Sequence, residues 1–110
     1  MEQNKELFTK LVQALVDTYG SQIIAIILYG SVARGTDTKE SDIDIAVLIK
    51  GIPTKEMNDR ATDRIVDLEL EYDKVLSVLK LDADTFFKWE DILPFYRNVK
   101  NDGVILWKAA

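Results

Sequence analysis

The chain has 110 residues, 47% of them hydrophobic and 30% charged, with a net charge of -5. That length and balance suit one compact soluble domain, 1–110, and leave little room for a second, substrate-selecting domain. With neither cysteine nor histidine, the chain excludes disulfides, the usual zinc ligands, and catalysis by a Ser-His or Cys-His pair. Metal chemistry must then use carboxylates, which favours hard cations such as magnesium. The acidic balance argues against broad nucleic-acid contact. The N-terminus "MEQNKELFTKL" is charged and lacks an apolar signal core, and no apolar run reaches membrane-spanning length, so a cytoplasmic protein is expected.

Residues 2–19 read as a helix, because Leu7, Phe8, Leu11, Val12, Leu15 and Tyr19 recur at three- and four-residue spacing. Gly20 is placed to end it. Residues 23–29 are apolar on both faces and rich in isoleucine, the pattern of a strand inside a doubly covered sheet. Gly30 breaks that strand. "SVAR" predicts a short helical turn and "GTDTKES" a loop. A second strand is expected over 42–49. "GIP" (51–53) is a turn, and 54–70 reads as a helix with Met57, Ala61, Ile65 and Leu68 on one face. "KVLSVLKL" (74–81) predicts a third strand. Asp82 or Asp84 is placed to cap a helix carrying Phe86, Phe87 and Trp89. "ILPFYRNVKNDG" predicts a further short helix stopped by Gly103, and "VILW" (104–107) a last strand. The order gives an α/β (α+β) fold: a small mixed sheet packed by helices.

The stretch that departs from core chemistry is "YGSVARGTDTKESDID" (29–44). On a strand, Asp42 and Asp44 point the same way, with Cα atoms roughly 7 Å apart. Ile43, Ile45, Val47 and Ile49 then point into the core. Two like charges on one strand face repel, and a divalent cation that takes both as ligands removes the repulsion. Gly30 at a strand end permits a close backbone approach by a ligand. If "SVAR" opens a helix, its free N–H groups suit an anion. The Ser31 hydroxyl can add a donor and Arg34 a positive charge, although Arg34 could instead pair with Asp37 or Glu40. Ser41 serves either the turn or a carboxylate. A Walker A reading of "GSVARGT" fails, since Thr36 stands where lysine is required.

Gly30-Ser31, ten intervening residues and Asp42-x-Asp44 resemble the signature of the DNA polymerase β-like nucleotidyltransferase superfamily. "LYGSVARGTDTKESDIDIAVLI" (28–49) is similar to its small prokaryotic branch, the minimal nucleotidyltransferases. The resemblance implies magnesium-dependent transfer of a nucleoside monophosphate, AMP from ATP, to an acceptor hydroxyl. Asp42 and Asp44 would be the catalytic metal ligands, and Gly30, Ser31, Arg34 and Ser41 the nucleotide-binding residues. It also implies a HEPN-domain protein as partner and acceptor, in a toxin–antitoxin pair. The superfamily uses a third carboxylate on a later strand, yet Leu76 or Ser77 fills that region here. Asp67, Glu69, Glu71 and Asp73 lie just before it and otherwise read as a solvated helix end. A missing third acid leaves an alternative expectation, a catalytically weak module that neutralises its partner by contact. The aromatics Phe86, Phe87, Trp89, Phe95 and Tyr96 read as core, with a docking surface as the other option.

Overall fold

The structure is a computed structural model that describes residues 4–38 and 42–110. Helix α1 (Lys5–Tyr19) leads through a 3-10 turn (Gly20–Gln22) into strand β1 (Ile23–Tyr29). A five-residue helix, α2 (Gly30–Arg34), follows, then β2 (Ile43–Ile49) and helix α3 (Lys55–Tyr72). Strand β3 (Leu76–Asp82), helices α4 (Ala83–Trp89) and α5 (Pro94–Asp102), and strand β4 (Val104–Lys108) complete the chain. Every element expected from the sequence is present, with ends displaced by at most three residues.

The four strands form a mixed sheet in the order β3-β2-β1-β4. β1 is antiparallel to β2 and β4, whereas β2 and β3 are parallel. A parallel pair needs a long crossover, and α3 supplies it. Strand alternation sends Ile43, Ile45, Val47 and Ile49 to one face, where all four are buried with Leu7, Leu11 and Leu15 of α1 and Ala61 and Leu68 of α3. Each large apolar side chain so buried contributes about 1.5–3 kcal/mol. Tyr19 carries a polar tie across this layer, its hydroxyl donating to Asn58 Oδ1 at 2.9 Å. The opposite face of β2 buries Ala46 and Leu48 beneath Ala83 and Phe86 of α4 and Val99 of α5.

The helix ends have individual causes. Thr54 caps α3 by accepting the Met57 N–H at 3.1 Å. Asp73 ends it in a left-handed conformation, φ 52°, so the helix runs past Leu70. Asp82, rather than Asp84, caps α4, accepting the Thr85 N–H at 2.9 Å and its hydroxyl at 2.7 Å. Gly103 does follow α5, but with φ -72°, so no left-handed turn requires it. Its need is steric: a Cβ there would collide with the Val99 carbonyl and Ile27 Cγ2. Among the described residues no helix is long and apolar enough to cross a membrane.

Candidate active site

The site lies where β1 ends and β2 begins. Tyr29, the last residue of β1, pairs in register with Asp44, and Asp44 pairs on its other side with Ser77 of β3. Asp44 therefore sits mid-sheet, half-buried, on the α4/α5 face. Asp42 is exposed and lies one residue before β2, so the second strand begins later than the sequence suggested. The two carboxylates still act on one another. Burial first, and then the charge of Asp42, raises the Asp44 pKa above the usual aspartate value, while the Arg34 guanidinium pulls it down. Burial and Asp44 together also push the Tyr29 hydroxyl up.

Gly30 is fixed by this arrangement. It adopts φ 77°, and a Cβ there would overlap Asp44 Oδ2 and come within 3.2 Å of Asp44 Cγ. The Asp44 side chain thus packs directly on the Gly30 backbone, so the glycine turn and the second aspartate form one local unit. Ser31, half-buried in α2, uses its carbonyl to accept the Thr36 N–H at 2.9 Å. Arg34 is exposed and makes no ion pair among the described residues. Asp37 does not engage it, and Glu40 lies outside the described residues, as does Ser41. The structure brings Gly30, Ser31, Arg34, Asp42 and Asp44 to one end of the sheet.

The donor set suits a hard divalent cation: the two carboxylates are close enough that the charge of Asp42 raises the cost of ionising Asp44, with a cation as natural relief. Among the described residues no third acid joins them. Ser77, exposed, occupies the β3 position beside Asp44. The acids before β3 are placed elsewhere. Glu69 accepts the Leu76 N–H at 2.9 Å, and Glu71 pairs with Lys10 at 2.6 Å.

Sequence reasoning did not single out Tyr29 as the strand partner of Asp44. Nor did it anticipate the row of rings that reaches it. Phe87, Phe86, Tyr96, Phe95 and Tyr29 follow one another at centroid distances of 5.7–5.8 Å. Phe86 is core as expected, but Phe87 is 53% and Phe95 41% exposed. Only their spacing along two helices hinted at this, and a separation across two elements is invisible to periodicity.

Residues 10–109 match the family model described as polymerase beta, nucleotidyltransferase. This chain belongs to that family. It is a nucleotidyltransferase, an enzyme with a nucleotide substrate. A Methanocaldococcus jannaschii protein named "Putative protein adenylyltransferase MJ0604" is 33% identical over 102 residues, spanning 89% of this chain and 92% of its own. A second from that organism, "Putative protein adenylyltransferase MJ0141", is 36% identical over 79 residues, 72% of this chain and 74% of its own. A solved toxin–antitoxin structure with AMP-PNP shares the fold at TM-score 0.63 and 22% identity, over 93% of this chain and 73% of that one. So does a Shewanella oneidensis complex of a tri-AMPylated HEPN toxin with its MNT antitoxin, at TM-score 0.54 and 19% identity, over 94% and 72% of the two chains. Both likenesses extend the nucleotidyltransferase fold along nearly the whole chain.

Proposed function

We propose that this nucleotidyltransferase transfers AMP from ATP to a hydroxyl on a HEPN-domain protein and acts as the antitoxin of that pair. The observation that carries the reading is the contact between halves of the site: the Asp44 carboxylate rests on the Gly30 turn, with Asp42 and Arg34 both acting on its charge. The homologues named as protein adenylyltransferases and the fold shared with HEPN-paired antitoxins support the donor and the partner.

In this reading Asp42 and Asp44 hold magnesium. When bound, the metal neutralises the triphosphate and favours in-line attack. Gly30 brings backbone against the outer phosphates without a side chain in the way, and the Ser31 hydroxyl donates to a phosphate oxygen. Arg34 supplies the neighbouring positive charge. Ser41, outside the described residues, would add a nucleotide-binding hydroxyl. The acceptor hydroxyl oxygen bonds to the α-phosphorus and releases its proton to water, the bond from that phosphorus to the bridging oxygen breaks, and pyrophosphate leaves. The chain works as a single domain, 1–110, in the cytoplasm, and the partner supplies the acceptor.

A second reading has one observation of its own, the Ser77 side chain in the β3 position beside Asp44. A site with two carboxylates could serve a module that neutralises its partner by contact. Incubation of the protein with magnesium, ATP and the protein encoded beside it, followed by intact mass measurement, separates the two. Transfer predicts a partner heavier by one or more AMP groups, lost in Asp42→Asn and Asp44→Asn. An unchanged partner mass under conditions where the two proteins form a complex sinks the transfer reading.

A further inference from the structure

Beside the carboxylate pair, between α2 and α5, lies a cleft of about 210 Å³, well above the ~30 Å³ share of a single water. It is lined by Tyr29, Gly30 and Arg34 and by Phe95, Asn98 and Asp102 of α5. Phe95, Asn98 and Asp102 are spaced three and four apart, so they share one face of α5 and extend along roughly 10 Å of helix. Phe95 is 41% exposed, yet its ring is held edge-on against Tyr29 at 5.7 Å and beside Tyr96 at 5.8 Å. The Asn98 amide and the Asp102 carboxylate, both exposed, make no hydrogen bond or ion pair among the described residues. A fixed aromatic surface, a free amide and a free carboxylate thus line a cleft that opens beside the proposed phosphate site.

We propose that this cleft seats the nucleoside of the nucleotide substrate and that Asn98 selects adenine. The inference rests on the proposed function, because it takes the phosphates to lie against Gly30 and Arg34. Phe95 offers the base a ring to stack on, an interaction open to any base. Asn98 supplies the choice. Its amide carries one donor and one acceptor side by side, matching the N7 acceptor and N6 donor of adenine. Guanine presents two acceptors on that edge and satisfies only half of the amide. Asp102 accepts hydrogen bonds from ribose hydroxyls and repels phosphate, so it disfavours entry of the triphosphate end. The direction of the nucleotide in the cleft then follows from charge: phosphates toward Arg34, sugar and base along α5.

The test is calorimetric titration of the full chain with magnesium-ATP, magnesium-GTP and inorganic magnesium-tripolyphosphate. The wild-type protein should bind ATP more tightly than GTP, and both more tightly than tripolyphosphate. Asn98→Ala should weaken ATP about tenfold, narrow the ATP/GTP ratio to near one, and leave tripolyphosphate unchanged. Phe95→Leu, which keeps apolar volume but loses the stacking ring, should weaken ATP and GTP together by about tenfold. ATP affinity and selectivity that survive both substitutions, while Asp44→Asn abolishes binding, overturn the nucleoside cleft and leave the metal–phosphate reading standing. Equal weakening of ATP and tripolyphosphate by Asn98→Ala also overturns it, since the amide would then act on phosphate. Wild-type protein that binds none of the three ligands overturns both readings.

Discussion

The two faces of the sheet are built from the same strand and do opposite things. On the α1/α3 face, β2 presents Ile43, Ile45, Val47 and Ile49, and none of the four is more than 3% exposed. On the α4/α5 face the intervening residues are Asp44, Ala46 and Leu48. There the burial is complete over Ala46 and Leu48 but only partial at Asp44, at the start of the strand. One face spends its apolar surface on stability. The other uses small residues to seal most of its area and leaves a carboxylate at the open end. A single strand can do both because its side chains alternate.

The largest effect that separates the faces is chemical. Asp44→Asn should lower the rate of transfer roughly a thousandfold, a loss of several kcal/mol of transition-state stabilisation at tenfold per 1.36 kcal/mol. The variant should melt no lower than the wild type, because it removes a charge that burial and Asp42 both disfavour. A clear drop in denaturation midpoint would show that Asp44 is structural and would collapse the distinction. On the closed face the expectation reverses. Ile45→Ala should cost about 2–5 kcal/mol of stability in chemical denaturation, while the protein that remains folded keeps its affinity for magnesium-ATP.

A smaller test uses two glycines that both have a positive φ. Gly20 and Gly30 have φ of 57° and 77°, but a Cβ at Gly20 meets nothing within 4 Å. Gly20, with ψ -128°, lies outside the left-handed helical region, so Gly20→Ala should cost about 1–3 kcal/mol of backbone strain and leave nucleotide binding alone. Gly30→Ala also places a side chain at positive φ and must in addition displace Asp44, so it should weaken magnesium-ATP binding as well. Equal effects on binding would remove the claimed contact between the halves of the site. Thr54→Ala, on the closed side, should cost about 1 kcal/mol through the lost α3 cap, with no change in transfer.

The smallest expected effect is a pH dependence. The folded pKa of Asp44 lies above its unfolded value. Between the two, the folded state binds more protons, so this residue's contribution to stability falls as pH rises from the ordinary aspartate range through the raised pKa. Metal-free protein followed by denaturation should lose that part of the slope in Asp44→Asn, and bound magnesium should reverse its sign. An identical slope in wild type and variant would remove Asp44 as its source.

The sequence disclosed the fold well because each element carried its own signal: three- and four-residue spacing in α1, an unbroken apolar run rich in isoleucine in β1, Thr54 and Asp82 at helix starts. It also held both halves of the candidate site, since Gly30-Ser31 and Asp42-x-Asp44 are short and local. What it did not disclose depends on distance through space. Tyr29 meets Asp44 only through strand register, and the Phe95 ring reaches Tyr29 only because α5 crosses the end of β1. The fate of Glu69 and Glu71 was hidden for the same reason: their partners are a backbone N–H seven residues on and a lysine 61 residues away. Gly103 looked like a helix stop by conformation and is one by crowding.

The central claim is that the glycine turn and the aspartate pair act jointly on a metal-bound triphosphate. Its most direct measurement is the affinity for ATP with and without magnesium, in wild type and in the Asp42→Asn/Asp44→Asn double variant. Tight binding is expected only when magnesium and both carboxylates are present. ATP bound equally well in the presence of a chelator, or by the double variant, would contradict it.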